Sequence, residues 1–394
     1  MKLLIESAIC DLRKAQEETL AAYDNITIQS ALLITNPRAR ALLAKYPFTL
    51  QCAQTLDLED DIQLNTINGQ TTLTGQNTPN GKQYLIINGS LTVTPDAGDA
   101  LRQYMGITLN GAAYCPTSLA TVLASKSTIN GKLYSYPDHA VVLKSTTVLD
   151  RNFLYRAQSR LYWAAKQFIA VDEKLDGGAL AATGARFTSP SAILSEGLAK
   201  DLAPLFDEAT QLEIVPDGTQ VIQDDLELND ASLGRYGEAL YIAGDLTLAD
   251  DCEEGLNSLE YLHVEGDLIL PGDLADALYD IPDFACGGEV ILLDGHPISC
   301  KSRVKVDEAL LDLYPDGVSL LNCAMVEIDP ALEPSEILEQ LYLSNCALVR
   351  CTAAQQGAVQ AAGGAARIQL TDQATEEEAP DEDTQIFECA QYVL

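Results

Sequence analysis

Ile242-Ala243-Gly244-Asp245-Leu246-Thr247-Leu248 is followed 22 residues later by Val264-Glu265-Gly266-Asp267-Leu268-Ile269-Leu270, and after the same interval by Gly288-Glu289-Val290-Ile291-Leu292. The phrase is an apolar residue, any residue, a small residue, then alternating apolar positions. It occurs earlier as Ile67-Asn68-Gly69, Ile87-Asn88-Gly89, Leu109-Asn110-Gly111 and Ile129-Asn130-Gly131, with glycine steps of 20, 22 and 20. A fixed period of this length is the signature of a repeat architecture. Alternation with period two makes a strand with one buried face. A glycine at a fixed place permits a backbone angle or a close approach that a side chain would block.

A repeat of this length has room for a strand, a turn and a short return. Ala97 to Tyr104 and Pro116 to Ser125 read as helical returns, with Leu119, Val122 and Leu123 at helical spacing. Irregular repeats fill the intervals from Gly131 to Gly184 and from Gly184 to Gly244, with strand candidates at Phe168 to Val171 and Leu212 to Val215. Stacking such units pairs the strands in parallel and buries one continuous apolar strip. The expectation is therefore an α/β repeat, a single elongated solenoid.

Toward the C-terminal end the phrase becomes Leu338-x-x-Leu341-x-Leu343-x-x-Cys346-x-Leu348, with a looser copy at Val318-x-Leu320-x-x-Cys323-x-Met325. Leu256, Leu259, Leu262 and Val264 lead into an earlier strand in the same way. These residues resemble the leucine-rich-repeat signature, most clearly over 236–350, although most copies carry Gly where that family prefers Asn. The resemblance implies a curved stack of parallel strands with short returns, used most often for protein binding. It makes Cys323 and Cys346 a buried thiol ladder. A parallel β-helix is the competing cross-section.

Three segments follow. Residues 1–50 are expected to form an N-terminal helical cap, because Ile5, Ile9, Leu12 and Ala15 fall on one face of an amphipathic helix over the first 24 residues. Residues 51–370 form the repeat domain. Residues 371–394 are an acidic linker, Thr375 to Asp383, and an apolar tail, Ile386 to Leu394.

Charge is sharply divided. Residues 1–200 hold 18 Lys and Arg against 17 Asp and Glu, whereas residues 201–394 hold 6 against 41. Binding to a phosphate backbone needs clustered cations, so nucleic acid is not an expected partner. Glu6, Asp11, Arg13 and Lys14 interrupt any leader-like apolar run, and no run reaches the roughly 18 residues of a membrane span. Ten cysteines without paired spacing read as reduced thiols, which points to the cytoplasm.

Signals for chemistry are weak. Gly75 to Gln83 has five residues between its glycines and no hydroxyl after Lys82, so it reads as a turn rather than a phosphate loop. His139, His263 and His296 have no nucleophile elbow to serve. Arg151, Arg156, Arg160 and Lys166 lie beside Tyr155, Tyr162 and Trp163 in a segment with helical spacing, an ordinary solvated edge. No catalytic, cofactor or metal residue is assigned.

The sharper feature is a column of acids, Asp225, Asp245, Asp267 and Glu289, at steps of 20, 22 and 22. The equivalent early positions are Gln70, Ser90, Ala112 and Lys132, so the column belongs to the second half alone. If Leu246, Leu248, Leu268 and Leu270 face the core, the acids face outward in a strip. That strip is the candidate partner-binding surface. The expected function is a non-catalytic protein-interaction scaffold whose acidic half engages a protein partner, its charge suiting a basic one. A carbohydrate-active enzyme on a parallel β-helix and a self-assembling structural protein are the alternatives.

Overall fold

The computed structural model describes residues 2–299, 301–371 and 384–393. It is a mixed α/β structure of many parallel strands and short helices. Two compact units divide the chain: 2–140 with 384–393, and 141–371. The linker expected at 375–383 lies outside the described residues.

In the first unit, Lys2–Asp11, Asn25–Thr35 and Phe48–Asp57 pair in parallel, and Thr384–Val393 pairs with the free side of Lys2–Asp11. The apolar C-terminal segment is thus a strand of the first sheet. Gln63–Leu73, Gln83–Val93, Gly106–Pro116 and Ser127–Tyr136 form a second parallel sheet. Its returns are helical at Gly98–Gln103 and Ala120–Lys126, where the spacing predicts them.

The helix expected over the first 24 residues is instead a strand, Lys2–Asp11, followed by a short helix, Glu17–Leu20. The register explains the misreading. Pairing runs from Ser7–Ser30 to Ile9–Leu32 with its offset unchanged, so Ala8 and Ala31 are passed over together and a bend shared by the neighbouring strands resets the alternation. Leu3, Ile5, Cys10 and Leu12 then pack into the first core, while Ile9 packs against Tyr84 and Ile86 of the second sheet. That bend converts a period of two into helix-like spacing. Asp11 and Arg13, read as leader-breaking charges, form a buried ion pair at 2.8 Å, and Arg13 also donates to the Glu59 and Ile62 carbonyls.

The Asn-Gly phrase of the second sheet is a bend within each long strand. Gly89, Gly111 and Gly131 have φ of 144°, 142° and 155°, and a Cβ there would sit 2.1, 1.9 and 2.0 Å from the carbonyl oxygen of the glycine one repeat earlier. Only glycine fits. The asparagine before it forms a ladder: Asn88 Nδ2 donates to Asn68 Oδ1 (2.9 Å), Asn110 to Asn88 (2.8 Å) and Asn130 to Asn110 (2.8 Å).

In the second unit each repeat breaks into two strands separated by a corner, then a short helix. Ala239–Ile242, Leu246–Leu248 and Glu253–Asn257 make one such repeat; Tyr261–Val264, Leu268–Pro271 and Ala275–Tyr279 make the next. First strands pair with first strands and second with second, giving two parallel sheets per stack. The strand candidates at 168–171 and 212–215 are present as Gln167–Ala170 and Ser191-paired Gln211–Val215.

The apolar strip is not continuous. Among the described residues the sheets stop and restart, giving five stacks of about four repeats with separate cores, two in the first unit and three in the second. The reason is legible in strands such as Leu268–Pro271 and Val318–Leu321, which are buried at every position. A strand buried on both faces needs a second sheet against its outer side. Ile269, Leu293 and Leu321 supply that contact between the fourth and fifth stacks, and Ile169, Ile193, Val215, Tyr241 and Tyr261 supply it between the third and fourth.

Candidate functional site

The four acids of the column stand at the corner between the two strands of each repeat in the fourth stack. Leu246, Leu248, Leu268 and Leu270 are fully buried, as the register requires, while Asp245 and Asp267 are half-buried and Asp225 and Glu289 exposed. Each of the three aspartate carboxylates reaches along the stack to the next corner. Asp225 Oδ1 accepts from the Asp245 backbone N–H (3.0 Å), Asp245 Oδ1 from Asp267 (2.9 Å), and Asp267 Oδ1 from Glu289 (2.9 Å).

This ladder explains why the sequence reads Gly-Asp. A Cβ on Gly244, Gly266 or Gly288 would lie 2.4, 2.2 or 2.3 Å from the Oδ1 of the previous aspartate. The glycine opens the space that the carboxylate fills. Here the requirement is close approach, in contrast to the positive φ of Gly89.

A half-committed carboxylate follows. Each Oδ1 is used within the ladder, and no protein partner is seen for Oδ2 of Asp225, Asp245 or Asp267 among the described residues. Neighbouring parallel strands lie about 4.8 Å apart, so the outer oxygens form a regular row. Three of the six Lys and Arg of this half are engaged in the fifth stack. Arg303 Nε and Arg350 Nη1 donate to Glu327 at 3.0 and 3.3 Å, and Lys305 lies 3.2 Å from Asp307 and 2.9 Å from Asp329. The two arginines hold the Glu327 carboxyl below its ordinary range.

The histidines are placed more specifically than the sequence suggests. His263 stacks on Tyr241 (4.6 Å between centroids) and its Nδ1 is 3.3 Å from Glu213 Oε1. The Tyr241 hydroxyl donates to Glu213 Oε2 at 3.0 Å and also contacts Glu265 Oε1. Burial, followed by these two carboxylates, pushes the Tyr241 hydroxyl far up. His296 stacks on Tyr314 at 3.9 Å, with Nδ1 3.3 Å from Asp250 Oδ2. His139 is exposed. Sequence reasoning missed both ring pairs, although His263 is the register partner of Tyr241 one 22-residue repeat on, a spacing that could have shown it; Tyr314 follows the helical return of the same repeat as His296, which no repeat spacing marks.

The remaining candidates are structural. Arg151–Leu154 is a short helix, and Tyr162 and Trp163 lie in the strand Leu161–Trp163 rather than on a helical edge. Tyr162 packs on Phe153 and Phe187, so it is an aromatic core residue, and Trp163 is also buried. Cys323 and Cys346 are buried, with thiols directed at the Leu321 and Leu320 carbonyls (3.4 Å each). Asn322 and Asn345 before them adopt φ of 51° and 49°, and Asn345 Nδ2 donates to Asn322 Oδ1 at 2.7 Å. Among the described residues no three His, Cys, Asp or Glu side chains converge to hold a metal ion, and no helix is long and apolar enough to cross a membrane.

No known family, curated protein or solved structure matches this chain.

Proposed function

We propose that the protein is a non-catalytic interaction scaffold built as a solenoid, and that its acidic half engages a basic protein partner through the corner column. The observation that carries this reading is the ladder itself. It fixes three aspartate carboxylates in one row, with Glu289 at its end, while leaving the outer oxygens of the three without protein partners among the described residues. A rigid row of like charge raises the local cation concentration and steers a complementary surface.

On the cross-section, two parallel sheets per repeat with a helical third side favour a parallel β-helix-like coil over the single-sheet leucine-rich repeat. Leu338 is exposed, Leu348 is only half-buried and Val349 takes the core position, because a second strand follows the corner. The free thiols suit a reducing compartment, and the cytoplasm is the location we assign.

The test uses near-isosteric substitutions, Asp225→Asn, Asp245→Asn, Asp267→Asn and Glu289→Gln. Asparagine keeps the Oδ1 acceptor, so the ladder persists while the charge goes. Partners recovered from a lysate at low and moderate salt should be lost or weakened with the substituted protein. Retention of every partner at unchanged strength would remove the column from the account.

A further inference from the structure

Between the fourth and fifth stacks lies a cavity of ≈ 810 Å³, a volume typical of small-ligand sites. Leu293 belongs both to its wall and to the apolar contact with Ile269 and Leu321 that joins the two stacks. Three rings line it: His296, Tyr314 and Tyr342. The wall is held by constrained backbone. Gly295 and Gly317 have φ of 80° and 99°, and a Cβ on Gly317 would lie 3.3 Å from the Tyr342 ring. His296 is fixed by its stack on Tyr314 and its contact with Asp250.

Asp250, Asp273, Asp294 and Asp316 complete the lining, and neither lysine nor arginine contributes to it. Rings attract cations through their faces, and the attraction grows as water is excluded. Carboxylates beside such rings favour a positive ligand and disfavour an anionic one. The open groove and the rings define the site; the carboxylates set the sign of its ligand.

We infer that this cavity is a binding site for alkylammonium groups, supplied by a free polyamine or by a lysine side chain. A polyamine suits the lining, since its methylenes are complementary to the rings and Leu293 and its ammonium groups to the carboxylates. The inference does not require the corner column, which lies on a different part of the repeat.

Calorimetric titration with spermidine tests it, alongside a lysine-containing peptide and the uncharged 1,8-octanediol. Spermidine should bind saturably and weaken as salt is raised, and octanediol should not bind. Tyr342→Leu should weaken spermidine about fivefold. Asp273→Asn, on an exposed residue whose replacement spares the fold, should weaken it severalfold, and Asp245→Asn in the corner column should leave it unchanged. Binding of the peptide alone assigns the site to a partner's lysine, and binding of spermidine alone assigns it to a free amine. Absence of saturable binding by either cation, or equal affinity in Tyr342→Leu, Asp273→Asn and wild type, would overturn the inference.

Discussion

At each corner of the fourth stack a single carboxylate oxygen decides what the neighbouring repeat can carry. Gly266→Ala places a methyl group 2.2 Å from Asp245 Oδ1 and 2.7 Å from the Gly244 carbonyl oxygen, so backbone as well as side chain must shift. A cost of about 1–3 kcal/mol is expected in denaturant unfolding. Gly357→Ala, where a Cβ meets nothing within 4 Å, is the control. The thiols give a second residue-scale test. Burial raises Cys252 to about 11 and Cys10 to about 12, against an ordinary value of 9.0. The buried forms are neutral, so these residues' contribution to stability is complete below pH 9 and is lost as pH rises through the folded values. Stability should therefore fall between pH 9 and about 12. In the native state Cys323 and Cys346 should resist a bulky maleimide while exposed Cys389 labels; rapid labelling of the buried pair would contradict their inward placement.

At the scale of elements, the register is the central quantity. Leu268 is fully buried in the core of the fourth stack and Thr247 is half-exposed one repeat away. Leu268→Asp buries an unpaired charge and should cost more than about 4 kcal/mol, whereas Thr247→Ser should stay within about 0.5 kcal/mol in thermal unfolding. Equal melting of the two variants would contradict the register. That register was readable from the sequence because Gly-Asp-Leu-x-Leu recurs at 244–248 and 266–270 and its leucines take the core positions; the copy at 288–292 departs from it, with Leu292 exposed and Leu293 buried. The helical returns at Gly98–Gln103 and Ala120–Lys126 were readable for the same reason. The first strand was not, since the bend at Ala8 gives its apolar residues a helix-like spacing. Nor was the return of Thr384–Val393 to pair with Lys2–Asp11, a contact spanning nearly the whole chain that no local pattern encodes. The acid column was visible as a spacing, but its hydrogen bonds were not. Like charges along the column repel one another; the backbone N–H donors offset that repulsion with charge-assisted bonds, roughly twice as strong as neutral ones. Neutralising the column should therefore change stability little, instead of raising it.

For the molecule as a whole, the division of charge is the feature that bears on function. The first 200 residues are nearly balanced and the remainder holds 41 acids against 6 cations, three of which are already paired with acids in the fifth stack. A field of that sign should act first on encounter, because long-range attraction raises association rates and is screened within about 8–10 Å at moderate salt. The most direct measurement is the association rate of a lysine-rich peptide with the wild-type protein and with the Asn/Gln column variant, at low and at moderate salt. The account predicts a faster rate for wild type at low salt, a dissociation rate changed far less, and convergence of the two proteins as salt is added. Identical association rates at low salt, in a variant that melts like wild type, would contradict it.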